Sequence, residues 1–235
     1  MDHSPDDEAR SRALETALRE PICAAGRRLG SRGLIVAAEG NLSVRMPKGV
    51  LLMTPTGRRK DELRPDELLA VALDQSGAAV IDAPAGSGSA PSSDIAIHRA
   101  VYAARPDVVA VVHAHVAAAM ALTLAGKAPD PTALPETAHH LPVLPLVPFE
   151  AMGSEALAAR VAAALTPADG PLPGAVLLER HGALAVGTAG TGAGVDADDL
   201  EAALTQAVDR LELVDVLCRT WRDAILLRGS RTRSL

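Results

Sequence analysis

The chain has 235 residues, 48% of them hydrophobic but only 1% aromatic, and a formal net charge of −6 at pH 7. That length suits one domain with a sizeable core, which must be built from Ala, Val, Leu and Ile. The acidic balance argues against nucleic acid as the main partner. No apolar run nears the ~20 residues of a membrane span, and two distant cysteines, Cys23 and Cys218, outside any CxxC, suit a reduced cytoplasmic protein.

The acidic start carries no apolar core of a signal peptide, and residues 1–12 read as a flexible lead to a single domain at 13–228, with 229–235 a short basic tail. A first helix is expected from about Asp7 to Gly30, then a strand over Gly33 to Ala38. Past Glu39-Gly40-Asn41, the alternating Leu42 to Met46 and the run Val50 to Met53 read as strands joined by a turn at Lys48-Gly49, followed by the loop Thr54-Pro55-Thr56-Gly57. A strand at Leu68 to Leu73 precedes the low-complexity connection Asp82 to Ser89, a surface loop by composition. Pro91-Ser92-Ser93-Asp94 opens a helix to about Ala104, with Ser92 or Ser93 as N-cap and Asp94 in the first turn. The apolar run Val108 to Val112 is a buried strand, followed by an Ala-rich helix to about Ala125 and a Pro-rich segment. A strand at Val143 to Val147, a helix from Ser154 to Leu165, a strand at Ala175 to Leu178 and a helix from Asp196 to Leu227 complete the chain. The last helix carries one apolar stripe through Leu200, Leu204, Leu211, Val214 and Cys218.

The chemistry concentrates at strand ends. His113 and His115 leave the Val108 strand one residue apart, so both imidazoles project to one side. Such a pair can hold a borderline metal ion with a third ligand from elsewhere. His181 supplies a candidate at the exit of the Ala175 strand, where Gly182 leaves room for close approach. The helix opening at Ser92-Ser93-Asp94 leaves backbone N–H groups free to hold phosphate or carboxylate.

Gly40-Asn41, Thr54-Pro55-Thr56-Gly57, Pro91-Ser92-Ser93-Asp94 with His98, His113-Ala114-His115 and His181-Gly182 occur in an order and spacing that resembles the class II aldolase/adducin family, over roughly Ala13 to Leu227. The resemblance implies a three-layer α/β/α fold with a mostly antiparallel central sheet, and a homotetramer with active sites between subunits. It implies one divalent metal per subunit, zinc or else manganese, on His113, His115 and His181. It also implies that a sugar phosphate is held by Asn41, Thr56, Gly57, Ser92 and Ser93. A metal of this kind stabilises the enediolate left when a C–C bond breaks, and a carboxylate moves the protons. The family commonly has Glu after the Ser pair; here Asp94 stands there, and ligand, base and cap are all open to it. Family members recruit a tyrosine from the C-terminal region, but the one tyrosine here is Tyr102. Glu136 or His140 is the expected replacement, near where dehydratases of the family carry an acid/base carboxylate.

The expected activity is metal-dependent cleavage of a phosphorylated sugar by an aldolase. A decarboxylase of an aromatic or keto acid on the same scaffold is the alternative, ahead of a sugar-phosphate epimerase or a non-catalytic adducin-like scaffold. Schiff-base chemistry is set aside because Lys48, Lys60 and Lys127 all lie in turn-like or charged surroundings. The glycines of Gly187 to Gly194 do not match GxGxxG and read as a flexible connection.

Overall fold

The unbroken apolar run at Val108 becomes the middle of a sheet. In the computed structural model, which describes residues 5–73, 80–82, 90–190 and 195–231, β5 (Val108–Ala114) is buried at every position. A strand covered on both faces cannot alternate with polar residues, hence the run. Around it lie β1 (Asn41–Met46), β2 (Val50–Met53), β3 (Leu69–Ala72) and β4 (Val80–Asp82) on one side. On the other lie β8 (Gly182–Thr188), β7 (Ala175–Leu178) and β6 (Leu146–Val147). The order is β4-β3-β2-β1-β5-β8-β7-β6, antiparallel except for the β6–β7 pair.

Two apolar layers sandwich this sheet. Ala110, Val112 and Ala114 of β5 pack with Leu18, Ile22 and Leu29 of α1 (Pro5–Ser31) and Leu204, Leu211 and Val214 of α6 (Ala197–Arg231). A short helix, α3 (Ala117–Leu124), joins that layer through Ala118, Ala119 and Leu122. Val108 and Val111 face the other way, onto Ile97 and Val101 of α2 (Ile95–Ala104) and Leu157 and Val161 of α5 (Glu155–Leu165). Each fully buried Leu or Val contributes roughly 1.5–3 kcal/mol over exposure. The three-layer α/β/α arrangement is thus as expected. α6 lies so close to the sheet that a Cβ on Gly187 would sit 1.7 Å from the Ala203 carbonyl oxygen. Among the described residues, no helix is long and apolar enough to cross a membrane.

Several local expectations change. The strand at Gly33 to Ala38 does not form: α1 runs on to Ser31 and closes with Leu34 N–H donating to Leu29 O (3.0 Å) and Gly33 N–H to Gly30 O (2.9 Å). Gly33 (φ 69°) and Ala37 (φ 53°) turn the chain, so Leu34 and Ile35 plug the core from a turn. α1 begins at Pro5, close to the expected start at Asp7, and α6 runs to Arg231, past the expected end at Leu227. The strand at Val143 shrinks to Leu146–Val147, and Glu136 and His140 lie on a short helix, α4 (Pro135–His140). Gly187 and Thr188, read as flexible, end β8. Residues 83–89 of the low-complexity connection and 191–194 of the glycine run lie outside the described residues.

Candidate active site

Two neighbouring segments deliver the three histidines. His113 is the next-to-last residue of β5, His115 lies just past its end, and His181 sits in the tight connection from β7 to β8. Gly182 (φ 130°) permits that connection, because a Cβ there would lie 2.3 Å from the Ala114 carbonyl oxygen. The ring centroids of the three are 5.1, 4.7 and 5.0 Å apart. One ligand atom of each lies within 4.8 Å of the others. Burial, then the neighbouring His181 and His115, push the His113 pKa well down; burial lowers that of His181 too. Neutral imidazoles are what a metal requires.

The donor set fits a metal. His113 Nδ1 is 2.9 Å from the Ala183 carbonyl, to which a protonated Nδ1 donates, leaving the Nε2 lone pair free. His113 Nε2 and His181 Nε2 are buried without a partner, as is Asp94 Oδ1. Such orphaned atoms are costly unless something fills the space between them. Glu39 Oε2 lies 3.2 Å from His115 Nδ1, on the rim of the same cavity. Sequence reading overlooked Glu39, although β1 pairs with β5 in the register Asn41 opposite His113, which brings residue 39 opposite 115.

Asp94, rather than Ser92 or Ser93 as expected, takes the N-cap position of α2, but its side chain makes no capping hydrogen bond. Instead Asn41 Nδ2 donates to Asp94 Oδ2 and to Ser92 Oγ, both at 3.0 Å, and Asp94 Oδ2 lies 3.9 Å from His113 Nε2. Behind Asn41 runs a buried chain: His98 Nε2 to Asn41 Oδ1 at 2.5 Å, Ser43 Oγ to His98 Nδ1 at 2.6 Å, and Tyr102 Oη to Ser43 Oγ at 2.8 Å. Burial lowers the His98 pKa to about 3, so its ring is neutral. The Asn41 carbonyl accepts only, so Nε2–H donates to it and Nδ1 accepts from the Ser43 hydroxyl. The chain therefore has one direction, and it fixes the Asn41 amide with its NH₂ toward Asp94. Tyr102 is spent in this network, 2% exposed.

A cavity of about 440 Å³ opens beside the triad, lined by Asn41, Thr56, Ser92, Ser93, Asp94 and His115 among others. The Thr56 and Ser92 loops are tied by Thr56 N–H to Ala90 O (2.9 Å) and a Pro55–Pro91 bridge. Gly57, with φ 67°, turns the chain next to Thr56. A Cβ on Gly40 would lie 2.8 Å from the His113 carbonyl oxygen, which accounts for glycine before Asn41.

Comparison with known proteins assigns the chain to a family. Residues 20–221 match the Class II Aldolase and Adducin N-terminal domain family. The chain belongs to this family. It is 37% identical over 174 residues to 3-oxo-tetronate 4-phosphate decarboxylase of Cupriavidus necator, covering 72% of this chain and 74% of that protein. Methylthioribulose-1-phosphate dehydratase of Acidiphilium cryptum is 32% identical, over 74% of this chain and 81% of its own. Among solved structures, L-fuculose-1-phosphate aldolase from Thermus thermophilus superposes with a TM-score of 0.71 at 30% identity, over 91% and 97% of the two chains.

Other expected residues fall elsewhere on this class II aldolase fold. Glu136 is exposed on α4 and does not line the triad's cavity. His140 lines a separate groove of about 760 Å³ along α6, with Asp198, Glu201 and Asp209. Lys60, expected in turn-like or charged surroundings, does have charged loop neighbours but is itself 2% exposed and lines the cavity.

Proposed function

We propose that this chain is a divalent-metal-dependent lyase that breaks a C–C bond of a small phosphorylated substrate, with decarboxylation of a phosphorylated 3-oxo sugar acid the first reaction to test. The observation that carries it is the junction of the His113–His115–His181 cluster and Asp94 with a cavity that continues to Ser92, Ser93 and Thr56. A bound divalent cation, zinc or else manganese, supplies Lewis-acid stabilisation of the negative charge that develops on substrate oxygens. His113, His115 and His181 would hold it, with Ala183 O keeping His113 oriented. Thr56, Ser92 and Ser93, with Gly57 shaping the turn, bind the phosphate near the start of α2, where the helix dipole favours an anion, and Asn41, whose amide protons go to Asp94 and Ser92, holds the Ser92 hydroxyl in place.

Asp94 is the proposed acid/base. In the decarboxylation the C1–C2 bond breaks, CO₂ departs, the electron pair of that bond passes into the neighbouring C3 carbonyl, and a protonated Asp94 gives its proton to C2 and is reprotonated from solvent. That reaction needs one proton donor, which suits a site whose described residues bring no free tyrosine to the cavity. Aldol cleavage, the expectation from sequence, also needs a base for the departing hydroxyl; similarity to the fuculose-phosphate aldolase keeps it as the second reading. Glu136 and His140 act, on this proposal, across an interface of a homotetramer. Buried free Cys23 and Cys218, whose pKa values burial raises to about 11 and about 12, accord with a reducing cytoplasm.

The test is to load the protein with zinc or manganese and supply phosphorylated 3-oxo acids beside ketose 1-phosphates. Metal-dependent CO₂ release supports the first reading and aldehyde release the second. Neither product from protein carrying stoichiometric metal refutes both.

A further inference from the structure

Lys60 is the one lysine of the described residues that the fold buries. Its ammonium donates to the carbonyls of Ala38 and Arg58, both at 2.7 Å. Its backbone is pinned against α1, where a Cβ on Gly26 would lie 2.1 Å from the Lys60 carbonyl oxygen. Among the described residues no carboxylate reaches salt-bridge distance of it, whereas its loop neighbours are paired: Arg58 with Glu67, and Arg59 with Asp61 and Glu62. A buried cation without a counter-ion is costly, and burial lowers its pKa to about 8.

The cost has a direction. Lys60 lines the same cavity as Thr56, Ser92 and Ser93. Two of its three N–H bonds go to carbonyls, and these acceptors hold it as an ammonium rather than a nucleophilic amine. The third N–H remains. The Ser92 hydroxyl is arranged alike: its oxygen accepts from Asn41 Nδ2 and from Asp94 N–H, leaving its own proton to give. Glu39, on the same cavity, is already engaged with His115.

We infer that Lys60 is the charged residue of the anion-binding end of this cavity, and that it selects phosphorylated over neutral substrates by supplying the counter-ion for the phosphate. The inference rests on the proposed function and sharpens it, because hydroxyls and backbone N–H groups bind a phosphate without discriminating strongly by charge. An ammonium poised in a dry wall interacts with a dianion far more strongly than one in water.

The experiment uses the whole 235-residue chain, zinc-loaded, with inorganic phosphate as the probe. With lysine side chains isotopically labelled, the NMR spectrum holds only Lys48, Lys60 and Lys127. Saturating phosphate is expected to raise the Lys60 titration midpoint by one pH unit or more and to leave exposed Lys48 and Lys127 unmoved. Lys60→Met should weaken phosphate binding about tenfold to hundredfold, as for a lost charge-assisted hydrogen bond. The wild-type titration stands even if that variant fails to fold. Phosphate that shifts the Thr56 and Ser93 amides, read on a second sample with uniformly labelled backbone nitrogen, but leaves Lys60 unmoved would overturn the inference and spare the proposed function. Phosphate that perturbs none of the three would overturn both the inference and the phosphorylated-substrate reading. Acetate that raises the Lys60 midpoint where phosphate does not would assign the cation to a carboxylate and overturn the inference as well.

Discussion

Replacing His98 by leucine tests the buried chain behind Asp94. Leucine keeps comparable volume, so the loss is one of hydrogen bonds: Asn41 Oδ1 and Ser43 Oγ each lose the His98 partner. Two buried polar groups left short cost about 1–3 kcal/mol apiece, or roughly 2–6 kcal/mol at pH 7. The deficit should depend on pH. His98 has a folded pKa of about 3 against 6.5 unfolded, so between these values the unfolded chain binds the extra proton. Its contribution is complete above pH 6.5 and falls by about 1.4 kcal/mol per unit as pH drops below that. Leucine does not titrate, so the gap between wild type and variant should narrow by about 2 kcal/mol from pH 7 to pH 5. Urea unfolding of both proteins with chelator present measures this, since the triad histidines then contribute alike and cancel. Turnover of the metal-loaded variant should fall about 10- to 100-fold as Asn41 loses its anchor. A stability gap that is the same at pH 5 and pH 7 would refute the claim that His98 is held neutral in this network.

His115→Ala should abolish near-stoichiometric metal binding, and Glu39→Gln should weaken it about tenfold, both read by metal analysis and competition with a chelator dye. Gly187→Ala should destabilise by more than about 3 kcal/mol, because its Cβ would meet the Ala203 backbone at 1.7 Å and α6 would have to move; thermal unfolding reads the effect. Glu136→Gln should lower turnover without changing metal content if α4 serves a neighbouring subunit. Unchanged turnover with metal bound would remove Glu136 from the mechanism.

The sequence by itself determined most of the periodic elements and which three histidines would gather into one cluster that could hold a metal. An apolar run with histidines at i and i+2 admits one reading of facing, because strand alternation is local geometry, and the triad assembles as that reading requires. The stripe of α6 and the start of α2 were legible for the same reason: helical spacing and turn residues act within a few positions of themselves. What tertiary structure decided depended on partners far along the chain. Leu34 and Ile35 look like a strand, but the closing hydrogen bonds of α1 and the positive φ of Gly33 and Ala37 take them into a turn. Asp94 has the position of a cap, yet Asn41, 53 residues away, draws its carboxylate toward His113. Lys60, set among charges in sequence, is buried because its neighbours' charges pair outward while the loop folds its own side chain onto Ala38. Burial and counter-charge are properties of packing, and only packing revealed them.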